Sequence, residues 1–157
     1  MPDGTPLVGI LVGSASDLPV LQQGAAILER LEVPHEINVM SAHRSPDQVD
    51  EYARTAEERG LVVIICGAGM AAHLAGAVAA RTVLPVIGVP VSGGALEGVD
   101  ALYATVQMPR GIPVATVAID GGVNAAILAA QIIAVRDADV RKRLHEFKES
   151  LAEGFKA

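Results

Sequence analysis

The chain has 157 residues, with 12 Lys and Arg against 18 Asp and Glu and a formal net charge of −6 at pH 7. Hydrophobic residues make up 51% of it and charged residues 19%, which excludes a disordered chain and favours a single globular domain over 1–157. The excess of acidic residues argues against a nucleic-acid polymer as partner, because proteins that bind one carry basic patches. Aromatic residues make up only 3% of the chain, which leaves few rings to sandwich a flavin.

Strand-like and helix-like segments alternate along the chain. An apolar run over Leu7–Val12 is followed by helical spacing over 19–31, where Ser16 or Asp17 suits the N-cap position and Pro19 suits the first turn. Further strands are predicted at 35–40, 61–66, 85–89 and 112–118, and further helices at 46–59, 70–81, 99–106, 124–135 and 138–153. Five strands separated by helices indicate an α/β fold, a three-layer, doubly wound parallel sheet with an extra C-terminal helix.

The segment 61–80 carries no formal charge and is nearly long enough to cross a bilayer. It begins as a strand-like run and breaks at 67–69, so a buried parallel strand that leads into a packed helix explains it better than a membrane span. Residues 1–4 lack the basic region of a signal peptide, and the single cysteine, Cys66, excludes a disulfide framework within the chain. We therefore expect a cytoplasmic protein with no membrane partner.

Polar and Gly-rich segments follow the carboxyl ends of the predicted strands, where doubly wound sheets bind their ligands. These segments are 13–17, 41–45, 67–73, 92–98 and 107–111. In the first of them, Gly13-Ser14-Ala15-Ser16-Asp17, the backbone N–H groups at a helix N-terminus and the two hydroxyls suit a phosphate or another anion. An ordinary tight turn with an N-cap explains the same residues equally well.

His43 lies in the second of these loops, between Ser41-Ala42 and Arg44. An imidazole titrates near neutral pH and can carry a proton in either direction, and an Arg side chain binds phosphate or carboxylate with its planar fork. A surface His beside a surface Arg is the alternative interpretation. His73, in the first turn of the third predicted helix, is expected to be a packed histidine or one that supports the site from behind.

Other functions receive weaker support. Residues 67–72 match a relaxed dinucleotide-binding pattern, but the next strand ends in Val89-Pro90-Val91-Ser92 without the acidic residue that would hold a ribose. No metal site is predicted, because the histidines lack i,i+4 spacing and no carboxylate cluster accompanies them. An FMN carrier remains an alternative, and a phosphoacceptor domain is disfavoured because Cys66-Gly67 stands where an acidic residue is needed.

Three motifs, in this order, resemble the catalytic-subunit family of phosphoribosylaminoimidazole carboxylase: 13–17, Ser41-Ala42-His43-Arg44 and 107–114. The resemblance covers nearly the whole chain and is closer to the class I form, which moves a carboxylate from N5 of an aminoimidazole ribonucleotide to ring carbon C4 in purine biosynthesis. It implies a flavodoxin-like fold, a homo-octamer with active sites near subunit boundaries, and no cofactor. The class II form, an aminoimidazole ribonucleotide carboxylase that uses free CO2, is the alternative.

The resemblance also implies roles for individual residues. By position, His43 matches the family's general acid/base, and Ser14, Asp17 and Arg44 match its substrate-binding residues. The other positions expected to bind the substrate or shape its pocket are Gly13, Ser16, Ser41, Ala42, Gly67, Ala68, Gly69, His73 and Leu74. The chain departs from the family pattern at Met70, where the resemblance leads us to expect Gly, at Ala75, where it leads us to expect Pro, and at 92–94.

Overall fold

Parallel strands form the centre of the structure, a computed structural model that describes residues 5–154. The strands are β1 (Val8–Val12), β2 (His35–Val39), β3 (Val63–Gly69), β4 (Val86–Val91) and β5 (Ala115–Thr116). The helices are α1 (Leu18–Arg30), α2 (Pro46–Thr55), α3 (Leu74–Ala79), α4 (Val99–Val106), α5 (Gly122–Ala134) and α6 (Ala138–Ala152). Two short 3₁₀ turns, Ala15–Asp17 and Gly94–Leu96, come shortly before α1 and α4.

The order of the strands identifies the topology. All pairings among the five strands are parallel, and the strands lie in the order β2-β1-β3-β4-β5. This is the order of the flavodoxin-like doubly wound fold, so the fold predicted from the sequence is confirmed. The direction of winding reverses at β1, which lies between β2 and β3. Ligands bind such sheets beyond the carboxyl ends of the strands at this switch point.

Apolar side chains alternate between the two faces of the sheet. In β1, Val8, Ile10 and Val12 join the core under α1, α5 and α6, whereas Leu11 joins the core under α2 and α3. All six residues of β4 are buried. Because the central strands are covered on both faces, they appear in the sequence as continuous apolar runs rather than as alternating patterns.

The uncharged segment 61–80 forms a buried strand and a short helix, as the sequence predicted. The strand β3 extends to Gly69, and α3 begins only at Leu74 rather than near residue 70. Met70 adopts a left-handed backbone conformation with φ of 50°, which ends the strand, and the N–H of Ala72 donates to the Met70 carbonyl at 2.8 Å in a tight turn. Within residues 5–154, no helix is both long and apolar enough to cross a membrane.

The last strand is much shorter than the sequence predicted. Of the predicted residues 112–118, only Ala115 and Thr116 pair with β4 as a regular ladder. Pro113 has no N–H to donate and lies where the strand was expected to begin, which is tolerated at the edge of a sheet but does not extend the ladder. The N–H of Val117 still donates to the Gly88 carbonyl at 3.1 Å, so the chain follows the edge of β4 beyond the regular pairing.

Candidate active site

The loops that follow β1, β2 and β3 surround one cleft of about 580 Å³. The strand order explains the convergence, because β2 and β3 pair with opposite edges of β1 and their carboxyl ends lie side by side. The cleft is lined by Gly13, Ser14, Ser16, Asp17, Ser41, Ala42, His43, Arg44, Ala68, Gly69, Met70, Ala71, His73 and Leu74. The structure therefore brings together every site residue named from the sequence except Gly67.

Gly67 lies below the surface of the cleft, inside the sheet. It is buried and pairs with Val12 of β1, and its carbonyl accepts the N–H of Gly13 at 2.9 Å. A Cβ at this position would collide with the side chain of Leu21 on α1. The missing side chain thus lets α1 pack against the sheet, which positions the loop at its N-terminus. Met70 and Ala71, which were not singled out as site residues, line the cleft instead.

Two histidines from different loops meet in the cleft. Nε2 of His43 lies 2.7 Å from Nδ1 of His73, and the rings meet edge to face with centroids 4.9 Å apart. At this distance one nitrogen carries the hydrogen and the other accepts it, so each ring fixes the tautomer of the other. His73 occupies the N-cap position of α3, and its ring is exposed in the cleft rather than packed. Of the two positions predicted for His73, the structure shows the supporting one, in direct contact with His43.

Arg44 links the loop after β2 to the loop after β1. Its Nη2 donates to the carbonyl of Gly13 at 3.0 Å, and its Nε lies 3.4 Å from the hydroxyl of Ser41. The backbone N–H of Arg44 donates to the same hydroxyl at 3.2 Å. These contacts hold the guanidinium across the cleft while leaving three of its five N–H groups for a ligand.

The first loop differs from the anion cradle that its sequence suggested. The N–H of Gly13 donates to Gly67, that of Asp17 donates to the Ser14 carbonyl, and that of Leu18 donates to the Ala15 carbonyl. Pro19 has no N–H, and the N–H of Ser16 is directed at the Ser14 hydroxyl, 3.4 Å away. Most of the backbone donors are thus engaged within the chain. The Ser16 hydroxyl is directed at the Ser14 hydroxyl, 3.0 Å away, and at Oδ1 of Asp17, 3.1 Å away, so the side-chain donors left for an anion in this part of the cleft are those of Ser14 and Arg44.

Asp17 faces the cleft because other groups cap the helix start. It occupies the N-cap position of α1, but its side chain makes no capping hydrogen bond, and Ser14 caps the 3₁₀ turn instead. Burial raises the pKa of the Asp17 carboxyl, and this effect outweighs the hydrogen bonds from Ser16 and from the backbone of Ser14 and the charge of Arg44, which lower it. The carboxyl oxygens remain available to a hydroxyl or amino group of a ligand.

Other features of the structure do not form a competing site. A cavity of about 440 Å³ between α1 and α6 is lined mostly by charged side chains, and Arg143 there pairs with Glu32 and donates to the Leu31 carbonyl. Cys66 is fully buried, and burial raises the pKa of its thiol, which leaves it protonated and unreactive. Within residues 5–154, no group of three or more His, Cys, Asp or Glu side chains is arranged to hold a metal ion.

Comparisons with known proteins agree with this geometry. A family model described as AIR carboxylase matches residues 7–154. An N5-carboxyaminoimidazole ribonucleotide mutase from Pyrococcus abyssi is 55% identical over 148 residues, which cover 94% of this chain and 85% of that protein. A protein of the same name from Escherichia coli is 54% identical over 145 residues, covering 91% and 86%. The crystal structure of Treponema denticola PurE has a TM-score of 0.86 and 30% identity, and the match covers 95% of this chain and 93% of that one.

Asp17→Asn is expected to make the folded chain more stable than the wild type at neutral pH. Because the pKa of Asp17 is raised above 3.8 by folding, the folded state holds this proton more tightly than the unfolded state does. That contribution to stability is present below 3.8 and is lost as the pH rises through the raised pKa. The neutral amide of Asn does not titrate and avoids the loss. Urea unfolding of both proteins from about pH 3 to pH 8 measures the difference.

The matched control is Asp47→Asn, which changes an exposed carboxylate in the first turn of α2. This carboxylate interacts favourably with the helix dipole, so its loss is expected to reduce stability by about 0.3–1 kcal/mol. An Asp17→Asn protein that is less stable than the wild type at neutral pH would contradict the assignment of a half-buried, unfavourably placed carboxylate.

Proposed function

The chain belongs to the AIR carboxylase family, and on that premise we propose that it is an N5-carboxyaminoimidazole ribonucleotide mutase of de novo purine biosynthesis. It converts this small-molecule substrate to 4-carboxy-5-aminoimidazole ribonucleotide, without a metal ion or organic cofactor. The observation that carries the proposal is the pairing of His43 and His73 in a cleft that also presents Asp17 and Arg44. The cleft thus offers an acid/base group, a carboxylate and a guanidinium within one small volume.

The reaction balances with a single group that exchanges protons. The bond from N5 to the carboxylate carbon breaks, carbon dioxide forms, and N5 takes up a proton. Ring carbon C4 then bonds to the carbon dioxide and loses its own proton. One proton enters and one leaves, so His43 can act first as the acid and then as the base, and the mutase needs neither an oxidant nor a second substrate.

His73 serves as a positioning residue for this exchange. Its Nδ1 lies 2.7 Å from Nε2 of His43, so this hydrogen bond holds the ring of His43 in place and leaves Nδ1 of His43 to exchange the proton with the substrate. The loop that contains His73 is a feature of the class I form and not of the class II carboxylase. Its presence in this chain therefore favours the mutase.

The remaining cleft residues bind the substrate. Arg44, with the hydroxyl of Ser14, holds the anionic groups of the nucleotide. Asp17 accepts hydrogen bonds from the ribose or the amino group. Small residues, chiefly Ala68 and Gly69 at the end of β3, permit close approach of the ligand to the backbone.

The chain assembles into a homo-octamer in the cytoplasm. An apolar stripe on the surface supports assembly: Leu96, Val99, Tyr103 and Val106 are between 45% and 61% exposed, and the last three share one face of α4. Such a contiguous apolar surface on a small domain marks a contact with another chain. Light scattering in solution is expected to give a mass near eight chains, and a monomer would contradict the assembly.

His43→Asn is expected to keep substrate binding but to lower kcat by about 10²–10⁴-fold, because the variant retains a polar side chain without an acid/base group. The wild type is expected to convert N5-carboxyaminoimidazole ribonucleotide readily and to use aminoimidazole ribonucleotide only with excess bicarbonate. Steady-state rates with each substrate measure both expectations.

The control for this variant is His145→Asn, which changes an exposed histidine on α6 outside the cleft. It is expected to leave both rates unchanged. Wild-type turnover by His43→Asn would remove His43 from the mechanism. Efficient use of aminoimidazole ribonucleotide with little use of the carboxylated substrate would favour the class II carboxylase instead.

His73→Leu is expected to reduce kcat by about tenfold and to shift the pH dependence of kcat, with KM little changed, since it removes the hydrogen-bond partner of His43. His73→Asn places a donor and an acceptor near the same point and is expected to restore part of the rate. Rates of both variants across the pH range measure this. An unshifted pH profile in His73→Leu, despite a lower rate, would contradict a positioning role through His43 and limit His73 to shaping the cleft.

A further inference from the structure

Met70 is unusual both in its backbone and in its surroundings. It lies between β3 and α3 with φ of 50°, a left-handed conformation that residues other than Gly, Asn and Asp rarely adopt. It lines the same cleft as His43 and His73, and its side chain is 59% exposed. A backbone outlier at a binding cleft is a reason to ask what the side chain does there.

The side chain of Met70 reaches across to the loop that follows β4. A Cβ placed on Gly94 would lie 3.4 Å from both Cγ and Sδ of Met70, so the thioether lies against the backbone of that loop. The large apolar side chains among the residues lining the cleft are Met70 and Leu74, and Leu74 is only 2% exposed. Met70 is therefore the apolar group at the mouth of the cleft, between the loop that carries His73 and the loop that carries Gly94.

Neither packing nor the local turn accounts for this side chain. A residue that is 59% exposed contributes little to the core. The turn depends on the backbone, where the N–H of Ala72 donates to the Met70 carbonyl at 2.8 Å, and a glycine would make the same bond without left-handed strain. The chain thus keeps a long apolar side chain at a position where glycine would be the easier residue.

We propose that Met70 retains carbon dioxide in the cleft between its release from N5 and its capture by C4. The inference rests on the proposed mutase function and adds a residue that determines how often the reaction runs to completion. Carbon dioxide is uncharged and weakly held by the polar groups that grip the nucleotide, so its retention depends on covering the mouth of the cleft and excluding water. An unbranched thioether is suited to this because it adapts to the shape of what it covers.

Carboxyl-labelled substrate tests the proposal. The enzyme is given N5-carboxyaminoimidazole ribonucleotide labelled with ¹³C in the carboxylate, in buffer that contains unlabelled bicarbonate and carbonic anhydrase. Mass spectrometry then gives the ratio of labelled product to unlabelled product plus free aminoimidazole ribonucleotide, after correction for decay without enzyme. The wild type is expected to keep the label. Met70→Gly is expected to lose it about tenfold more often, the effect of removing one apolar contact of this size.

Two variants separate the side chain from the backbone. Met70→Leu keeps an apolar side chain and is expected to keep the label. Glu97→Gly places glycine at another left-handed position, φ of 48°, in the loop beyond Gly94 and outside the residues that line the cleft, and is expected to keep it as well. If Met70→Gly does not fold, Met70→Asn, which tolerates the left-handed conformation and is polar, is expected to leak in the same way.

The outcomes distinguish this proposal from the one on which it rests. Equal label retention in the wild type and in Met70→Gly overturns the role of Met70 and leaves the mutase function intact. Complete exchange of label by the wild type also overturns it, because no carbon dioxide is then retained. Failure of the wild type to form any product carboxylated at C4 overturns the mutase function itself. Loss of label in Glu97→Gly equal to that in Met70→Gly assigns the effect to loop backbone and not to the thioether.

Discussion

The pairing of β1 with β3 is the constraint on which the site depends. Val12 lies opposite Gly67 on one side and opposite Val39 on the other, and the N–H of Gly13 continues the ladder to Gly67. The three loops that follow these strands therefore start from fixed points a few ångströms apart. A shift of this register would turn alternate side chains to the other face of the sheet and separate the loops, so the core and the cleft are specified by the same hydrogen bonds.

Hydrogen bonds between different loops orient the side chains of the cleft. His43 and His73 are 30 residues apart in the chain, yet each sets the tautomer of the other. Arg44 is held by the Gly13 carbonyl of the loop after β1, so its guanidinium is oriented before a ligand arrives. Groups that are fixed in advance need not reorganise as charge moves in a reaction, which is the main source of electrostatic catalysis. The arrangement of the cleft thus depends on hydrogen bonds between loops rather than on one sequence motif.

The sequence was sufficient for the arrangement of elements and for most of the cleft. Continuous apolar runs indicate buried parallel strands, and polar loops after such strands meet at one edge of the sheet, so the loops that carry His43, Arg44 and Asp17 could be placed at that edge. The roles of these three residues were implied by the family resemblance. The burial of Gly67 could not be predicted from the sequence, because it depends on the packing of Leu21 against the sheet. The left-handed conformation of Met70 could not be predicted either, since local sequence does not fix the φ angle of a residue that follows a strand.

The loop after β1 differs from the sequence prediction in its hydrogen-bond donors. A helix N-terminus after a strand suggests binding by backbone N–H groups, but here Pro19 lacks one and the N–H groups of Asp17 and Leu18 close the 3₁₀ turn. The positive charge in this part of the cleft is then that of the Arg44 side chain. The Asp17 carboxyl does not cap α1 and lies half-buried near Arg44. Burial raises its pKa, because no capping hydrogen bond to the helix compensates for the lost water. The polar groups at this end of the cleft are therefore held in a less stable arrangement of the loop, as is common where a fold supports chemistry.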